Sequence, residues 1–396
     1  MQTRRSPFLS FVQIFSFALL SGMTTAISPL MQMLIEHFHD VPVTSVRMLS
    51  TVISLCGMCV SVPLSLFFGK RIRFKPLLTF GACLFLLGSL PYFVPDPSFG
   101  LVMFSRVCVG TGFGFCALRN ACVRRMFAGD DAAIARWLGI LNATVSTVST
   151  LLGPITGALA DRFTLWHGFS IYLLAAVSLI LLTVVFKEPG EEKDDRPQGK
   201  SSDRIAPAVF RFAGVCALTT LLEYPIFTLS STLASVRGWG GAAVGGSIIS
   251  CFSLGGIIGS FFYPVQNRRI PRYGLAMDYV ILCCGFGIMI TAPAAPVAMV
   301  GAALLGFGFT NQMLSNTKWA GDSTPASTRT FASTLMAVSV SLGSFSSTFW
   351  IPLVVRLASV FPFLHSEPEK VYFVSILIYI VMATVFFIFD PRPKKR

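Results

Sequence analysis

Two ionisable residues lie deep inside apolar stretches of the 396-residue sequence, where a charge needs a specific reason to be present. Glu223 is twelve residues from Arg211 and fourteen from Arg237, and Arg106 is about seven residues into the stretch at 99–118. A charged side chain at the centre of a membrane costs about 2.5–3.5 kcal/mol on insertion scales. We therefore consider Glu223 and Arg106 first as residues that take part in moving protons or other solutes.

Hydroxyl, amide and phenol groups form a second set of candidates within apolar stretches. The set comprises Thr24, Thr25, Ser28, Tyr224, Asn311 and Gln312. Hydroxyl and amide groups can line a water-filled cavity, and they can equally form hydrogen bonds between neighbouring helices. Tyr224 is suited either to stacking on a substrate or to packing among other aromatic rings.

Small residues and a proline mark two further stretches. Gly110 and Gly112 follow Arg106, and Gly153, Pro154 and Gly157 lie in a segment that also holds four hydroxyl residues between 146 and 150. Small residues let helices approach closely, and a proline removes a backbone donor and bends a helix. We predict a flexible packing seam at 153–157, with direct substrate contact as the alternative.

The elements that must position these residues are long apolar helices. Hydrophobic residues make up 54% of the chain and charged residues 12%, a composition far from that of soluble proteins. Twelve apolar spans are long enough to cross about 30 Å of hydrocarbon as helices, at about 1.5 Å per residue. They are 9–34, 44–68, 77–94, 99–118, 137–160, 166–186, 209–234, 242–265, 274–292, 295–316, 331–358 and 371–389. Strands would be about half this length, so we predict an all-α integral membrane protein.

Basic residues fall mainly on one side of this topology. Of the 31 Lys and Arg residues, 25 lie on the side of the two termini, five lie on the opposite side, and Arg106 lies within a span. This is the positive-inside pattern, and it predicts that both termini are cytoplasmic. It also explains the net charge of +13 without a nucleic-acid partner. Lys70, Arg71 and Arg73 belong to the first basic loop, and Asp278 is expected to neutralise a later one at 268–272.

The sequence repeats itself at about half its length. The basic hairpin GKRIRFK at 69–75 has a near-copy, NRRIPRY, 198 residues later, and VGTGFGFCALRN at 109–120 resembles LGFGFTNQMLSN at 305–316. A charged segment with few apolar residues lies between spans six and seven. We predict a duplicated six-helix unit, with halves at 1–187 and 206–396 joined by a cytoplasmic linker at 188–205.

Motifs for other function classes are missing from the sequence. It contains neither His-Glu-x-x-His nor Gly-x-Ser-x-Gly, and QGKS at 198–201 lacks the earlier glycine of a phosphate-binding loop because Asp194 stands there. We therefore expect no enzyme activity, no cofactor, no bound metal and no ATP-driven pumping.

The sequence resembles the major facilitator superfamily along its whole length, in its twelve spans, central linker and basic loops. RVCVGTG at 106–112 resembles the fourth-helix pattern of that family, and LLGPITGALAD at 151–161 resembles the fifth-helix pattern of proton-linked exporters. The loop after the second helix departs from the family, because Ser65, Gly69 and Ile72 replace its first Gly, its Asp and its second Gly. Only the basic residues remain.

The resemblance implies two pseudo-symmetric six-helix bundles that move a small molecule by alternating access. It also implies that spans one, four, seven and ten line a central cavity. Our hypothesis is that Glu223 takes up and releases a proton there under the influence of Arg106. A static role for both residues is the alternative. Proton-coupled export is the preferred function, proton-coupled uptake is the second, and a non-transporting membrane receptor is the third. We expect a monomer in the lipid bilayer of the cytoplasmic membrane.

Overall fold

Every regular element in the part of the chain that the structure describes is a helix. The structure is a computed structural model, and it describes residues 7–67, 73–127, 130–189, 207–324 and 329–389. The helices before residue 190 are α1 (Pro7–Gly22), α2 (Met31–His37), α3 (Val43–Phe67), α4 (Phe74–Leu87), α5 (Leu90–Phe93), α6 (Phe99–Cys116), α7 (Arg119–Met126), α8 (Asp131–Arg162) and α9 (Ala175–Val184), with 3-10 turns at Ser28–Leu30 and Leu165–Leu174. The later ones are α10 (Pro207–Glu223), α11 (Pro225–Val236), α12 (Ala242–Arg269), α13 (Gly274–Thr291), α14 (Ala295–Asp322), α15 (Arg329–Leu357) and α16 (Glu367–Ile388), with a 3-10 turn at Ala358–Val360.

These helices confirm the predicted all-α membrane architecture. Among the described residues, 11 helical stretches are long and apolar enough to cross a membrane, and the shorter apolar helix Phe8–Gly22 lies where the first span was predicted. Several spans consist of two helical segments, so twelve spans contain sixteen α-helices. We call the side of the membrane where α1 begins and α16 ends the terminal side, and the opposite side the far side.

Span one is not one continuous helix, as 9–34 suggested. After α1, the Ala26 amide bonds the Met23 carbonyl at 3.2 Å and the Ser28 amide bonds the Thr25 carbonyl at 3.0 Å. These i to i+3 bonds belong to tight turns rather than to an α-helix. Pro29 lies in the 3-10 turn that follows, where its fixed backbone angle and missing N–H are tolerated. The chain therefore leaves the α-helix at Thr24, Thr25 and Ser28 and forms successive tight turns.

Span seven bends at a single point. Helix α10 ends at Glu223, and α11 begins at Pro225. The proline has no N–H to donate to the carbonyl of Leu221, so the helical hydrogen-bond ladder is interrupted beside Glu223. The acidic side chain of Glu223 therefore lies next to a missing helical hydrogen bond.

The helices pack around two separate hydrophobic cores. One core consists of residues between Ile14 and Phe186 together with Ala242, and the other of residues between Val209 and Ala383. These cores correspond to two six-helix bundles. The boundaries predicted for the halves stay a prediction, since residues 190–205 of the linker and residue 206 lie outside the described residues.

The two bundles meet through two pairs of helices, α8 with α12 and α3 with α15. Ser250 on α12 donates to the Thr150 carbonyl on α8, and the hydroxyls of Thr51 and Thr348 lie 2.6 Å apart between α3 and α15. Both contacts lie in the halves of these helices nearer the far side. The protein is therefore closed on the far side in this conformation.

Candidate transport site

Glu223 is buried at the bend of span seven. Its side chain is 1% exposed, and its Oε2 lies 3.4 Å from the hydroxyl of Tyr379 on α16. The same hydroxyl lies 3.2 Å from the carbonyl oxygen of Thr219, so its single proton is shared between two acceptors. Glu223 Oε1 has no hydrogen-bond partner among the described residues. The carboxyl group is thus poorly satisfied as an anion, and a proton on it would supply a missing donor.

Arg106 is fully buried in α6 and bonds three other elements of its own half. Its Nε donates to the Leu49 carbonyl at 2.9 Å, its Nη1 donates to the Tyr172 hydroxyl, and its Nη2 donates to the Thr24 carbonyl at 3.4 Å. The guanidinium also lies over the Tyr172 ring, 5.3 Å from its centroid. Arg106 therefore satisfies a carbonyl of the tight turns that follow α1 in span one and fixes α3 to that segment.

Arg106 and Glu223 do not form an ion pair in this conformation. No nitrogen of Arg106 lies within 4.0 Å of a Glu223 oxygen, since the four ion pairs among the described residues involve other residues. The contacts of Arg106 match the static alternative. The coupling hypothesis stays a prediction that concerns other conformations of the protein.

The polar residues of span one lie at the junction between the halves. Thr24 and Thr25 are partly exposed, whereas Ser28 is buried. Tyr224 reaches across from span seven, and its hydroxyl donates to the Ser50 carbonyl at 3.3 Å. Its ring centroid is 5.2 Å from that of Phe227. The hydroxyl of Tyr224 thus contacts the N-terminal half, while its ring packs against its own helix.

Asn311 and Gln312 are fully buried in α14. Asn311 Nδ2 donates to Gln266 Oε1 at 2.8 Å, and Gln312 Oε1 accepts from Asn316 Nδ2 at 2.8 Å. These bonds join helices or successive turns of one helix. They favour the interhelical interpretation of these two residues over a cavity-lining one in this conformation.

The predicted glycines lie at close contacts between helices. A Cβ on Gly110 would lie 2.8 Å from Ile53 Cα, and one on Gly112 would lie 2.7 Å from the Gly81 carbonyl oxygen, both within the N-terminal half. Across the halves, a Cβ on Gly153 would lie 2.9 Å from the Gly246 carbonyl oxygen. Gly157 is similarly close to Ala242, and Pro154 lies between these two contacts in α8. Span five therefore forms the main seam between the bundles.

The first basic loop is only partly described. Lys70 and Arg71 lie outside the described residues, and Arg73 is exposed just before α4. At the start of α4, the backbone amides of Phe74 and Lys75 donate to the Glu188 carboxylate at 2.6 and 2.7 Å. The first residue of the predicted linker, an acid, therefore satisfies the first amides of this helix.

Sequence analysis did not find the tyrosines that contact the candidate residues. Tyr172 bonds Arg106, Tyr379 bonds Glu223, and Tyr372 is buried near Glu223 and Ser230. The sequence did contain a pattern that pointed to two of these tyrosines, because Tyr172 and Tyr372 occur 200 residues apart in spans six and twelve. That spacing is close to the repeat offset of the two halves.

The sequence of the chain also identifies its family. Residues 13–348 match the sequence profile of the Major Facilitator Superfamily. The chain belongs to this superfamily. No curated protein sequence matches it, so its superfamily membership carries no more specific assignment.

Solved structures share the superfamily fold of this protein. A bacterial homologue of the human lysosomal transporter Spinster, inward-facing and unoccupied, aligns at a TM-score of 0.69 and 12% identity, covering 96% of this chain and 94% of that chain. A mutant of the nucleoside transporter NupG aligns at 0.70 and 12%, covering 96% and 98%. The POT family transporter PepTSo aligns at 0.72 and 12%, covering 97% and 98%. Identities this low show the fold alone, and as a superfamily member the protein is a membrane transporter.

Proposed function

We propose that this protein exports a small molecule across the cytoplasmic membrane in exchange for protons, with Glu223 as the proton carrier and both termini in the cytoplasm. Alternating access moves the substrate as the two six-helix bundles rock about a site between them. The proposal includes no enzymatic step and no cofactor.

The observation that carries the proposal is the position of Glu223 at the bend of span seven. On the far side of this bend, the Thr232 hydroxyl on α11 donates to Gln32 Oε1 at 2.8 Å, and Ser231 Oγ accepts from the backbone amide of Gln32 at 3.3 Å. Helix α11 therefore takes part in closing the far side, and Glu223 lies two residues before Pro225, where α11 begins and the helical hydrogen-bond ladder is interrupted. Opening the far side would move α11 and change the surroundings of the carboxyl group, which is the linkage that proton coupling requires.

The direction of transport is proposed from span five. Its Gly-Pro pattern resembles that of proton-linked exporters, and Gly153 and Gly157 form the seam with α12 on the far side. Uptake with protons is the alternative function, because Gly69 stands where the family has an Asp in the first basic loop. The direction in which substrate and protons move distinguishes the two.

The test uses the purified protein in liposomes with an imposed proton gradient and a pH-sensitive dye inside. Compounds are screened for their ability to dissipate the gradient, and the movement of each active compound is measured. We expect compound and protons to move in opposite directions; movement in the same direction would assign uptake instead.

Glu223→Gln tests the proton carrier in the same liposomes. This variant should exchange labelled for unlabelled compound but lose accumulation driven by the gradient. Asp40→Asn is the matched control, since the Asp40 side chain is 90% exposed, and it should behave like the wild type. An unaltered pH dependence in Glu223→Gln would show that Glu223 is not the carrier.

A further inference from the structure

Asp278 is a second buried acid, and it lies on α13 rather than at the junction of α10 and α11 where Glu223 lies. It lies in the second turn of α13 and is fully buried. Its Oδ1 accepts a hydrogen bond from Gln266 Nε2 at 2.8 Å. Its Oδ2 has no hydrogen bond of good geometry among the described residues, although the side-chain amide of Asn311 also lies beside the carboxyl. It forms no ion pair with the basic loop at 268–272, which the sequence had suggested it would neutralise.

The amide that contacts Asp278 has no further hydrogen atom to give. Gln266 Nε2 donates both to Asp278 and to the Gly274 carbonyl, each at 2.8 Å, and Gln266 Oε1 accepts from Asn311 Nδ2 at 2.8 Å. Asn311 Oδ1, like Asp278 Oδ2, has no donor. These are two acceptors, and the second hydrogen of Asn311 Nδ2 can fill only one of them. The network that joins α12, α13 and α14 therefore contains one donor fewer than its acceptors require.

The groups that surround Asp278 provide no positive charge to offset an anion. Tyr263 on α12 lies near both Asp278 and Asp322 of α14, and Tyr279 lies near both Asp278 and Cys216 of α10. The basic residues of α12, Arg268 and Arg269, lie in its last turn and form no ion pair with Asp278. Tyr279 follows Asp278 on α13, and its ring stacks on that of Tyr379 from α16. No Lys, Arg or His nitrogen of the described residues lies within 4.0 Å of Asp278.

We propose that the Asp278 carboxyl binds a proton in this conformation, at a second proton site separate from Glu223. A protonated Asp278 is neutral, and its hydroxyl supplies the donor that the network lacks. An ionised Asp278 would be a buried charge without a cation, which proteins rarely retain. The proton comes from water on the terminal side and returns to it.

The position of the site indicates what the proton does. Gln266 lies in the last turn of α12, Asp278 near the start of α13, and Asn311 in the second half of α14, so the network lies toward the terminal side. A Cβ on Gly308 would lie 2.9 Å from the Asp278 carbonyl oxygen, so α13 and α14 are in close contact here. Bound, the proton keeps the end of α12 and the start of α13 together with the middle of α14. If the ends separate, Asp278 contacts water and the proton leaves.

Infrared spectroscopy of the purified protein in lipid tests the site without a substrate, because a protonated carboxyl has a carbonyl-stretching band distinct from those of carboxylates and amides. We expect Asp278→Asn to lose one component of this band at neutral pH. Asp322→Asn, which alters an exposed acid on the same side, should lose none. Glu223→Gln removes the other buried carboxyl, so any band component of Glu223 is identified separately. If Glu223 proves not to be the proton carrier, the test of Asp278 is unaffected. A folded Asp278→Asn protein with the wild-type band would overturn the proposal.

Two further measurements keep the test decisive if Asp278→Asn does not fold. Gln266→Leu retains the carboxyl but removes the donor to Oδ1, so the Asp278 component should shift to higher frequency; an unshifted band would overturn the proposal. Replacing an organic cation by Na⁺ at fixed pH should leave the wild-type band unchanged. Loss of the Asp278 component on adding Na⁺ would assign the site to that ion and overturn the proton.

Discussion

The guanidinium of Arg47 donates two hydrogen bonds to the carboxylate of Glu367, and this pair joins the two halves of the protein on the far side. Arg47 Nη1 lies 2.7 Å from Glu367 Oε1, and Nη2 bonds the second oxygen. The Arg47 side chain is 3% exposed and that of Glu367 is 31% exposed. A bidentate pair of this kind is strong when it is shielded from water. It is a direct link between the bundles that must break when the far side opens.

Glu367→Gln should shift the protein toward conformations that are open on the far side. Removing one partner of a buried ion pair costs about 2 kcal/mol or more, partly because the other charge stays unpaired. We expect a change of about 2 kcal/mol in the equilibrium between closed and open states, because Glu367 is partly exposed. Hydrogen exchange measured by mass spectrometry checks this, and amides in the first turns of α16 and α12 should exchange faster.

Asp96→Asn is the control for this substitution. Asp96 is on the same side of the membrane, its side chain is 84% exposed, and it lies 3.3 Å from His37 of its own half. Its loss should leave the exchange rates in α12 and α16 as in the wild type. Equal exchange in Glu367→Gln and Asp96→Asn would contradict a role for the Arg47 pair in holding the far side closed.

Gly157→Ala should disturb the seam between α8 and α12. A Cβ at this position would lie 2.5 Å from the backbone of Ala242, a distance that side chains do not adopt without a shift of the backbone. Overpacking of this kind costs about 1–3 kcal/mol. We expect a lower midpoint of thermal unfolding and faster amide exchange at the start of α12.

Gly139→Ala is the matched control, since it places the same methyl group on the same helix. Nothing lies within 4 Å of a Cβ at Gly139. This variant should unfold at the wild-type temperature or above it, because alanine favours helix more than glycine does. If both variants unfold at the same temperature, the seam is not tightly packed at Gly157.

Arg106→Lys should destabilise the N-terminal half. A lysine ammonium is a point charge on a flexible stem and cannot reproduce the fork that contacts Leu49, Tyr172 and Thr24 together. Hydrogen bonds to charged groups contribute about 1.5–3 kcal/mol each, so we expect a loss of about 2–3 kcal/mol. Thermal unfolding of the purified protein measures it.

Two other variants serve as controls for the stability of Arg106→Lys. Arg356→Lys alters an exposed arginine on α15 and should leave the unfolding temperature unchanged. Glu223→Gln keeps the shape of its side chain and should change stability by less than Arg106→Lys. An Arg106→Lys protein as stable as the wild type would show that the three hydrogen bonds are not structural, and would return Arg106 to the coupling hypothesis.

Most of the membrane topology could be predicted from the sequence, because a helix forms by hydrogen bonds within one stretch of chain. The predicted span 274–292 corresponds to α13 at Gly274–Thr291, and the span 242–265 corresponds to the first 24 residues of α12. In lipid each apolar run must satisfy its own backbone, so composition and length suffice to locate it. Pro225 was visible in the sequence, but the interruption beside Glu223 was not predicted from it.

The sequence by itself determined the twelve spans, the side on which most basic residues fall and the presence of buried ionisable groups. Only the tertiary structure decided which groups those residues meet: Arg106 bonds carbonyls of its own half, Glu223 contacts Tyr379, and Asp278 joins the amide network of Gln266. The physical reason is distance along the chain. Glu223 and Tyr379 are 156 residues apart, and no local pattern of residue types specifies which side chains packing will bring together.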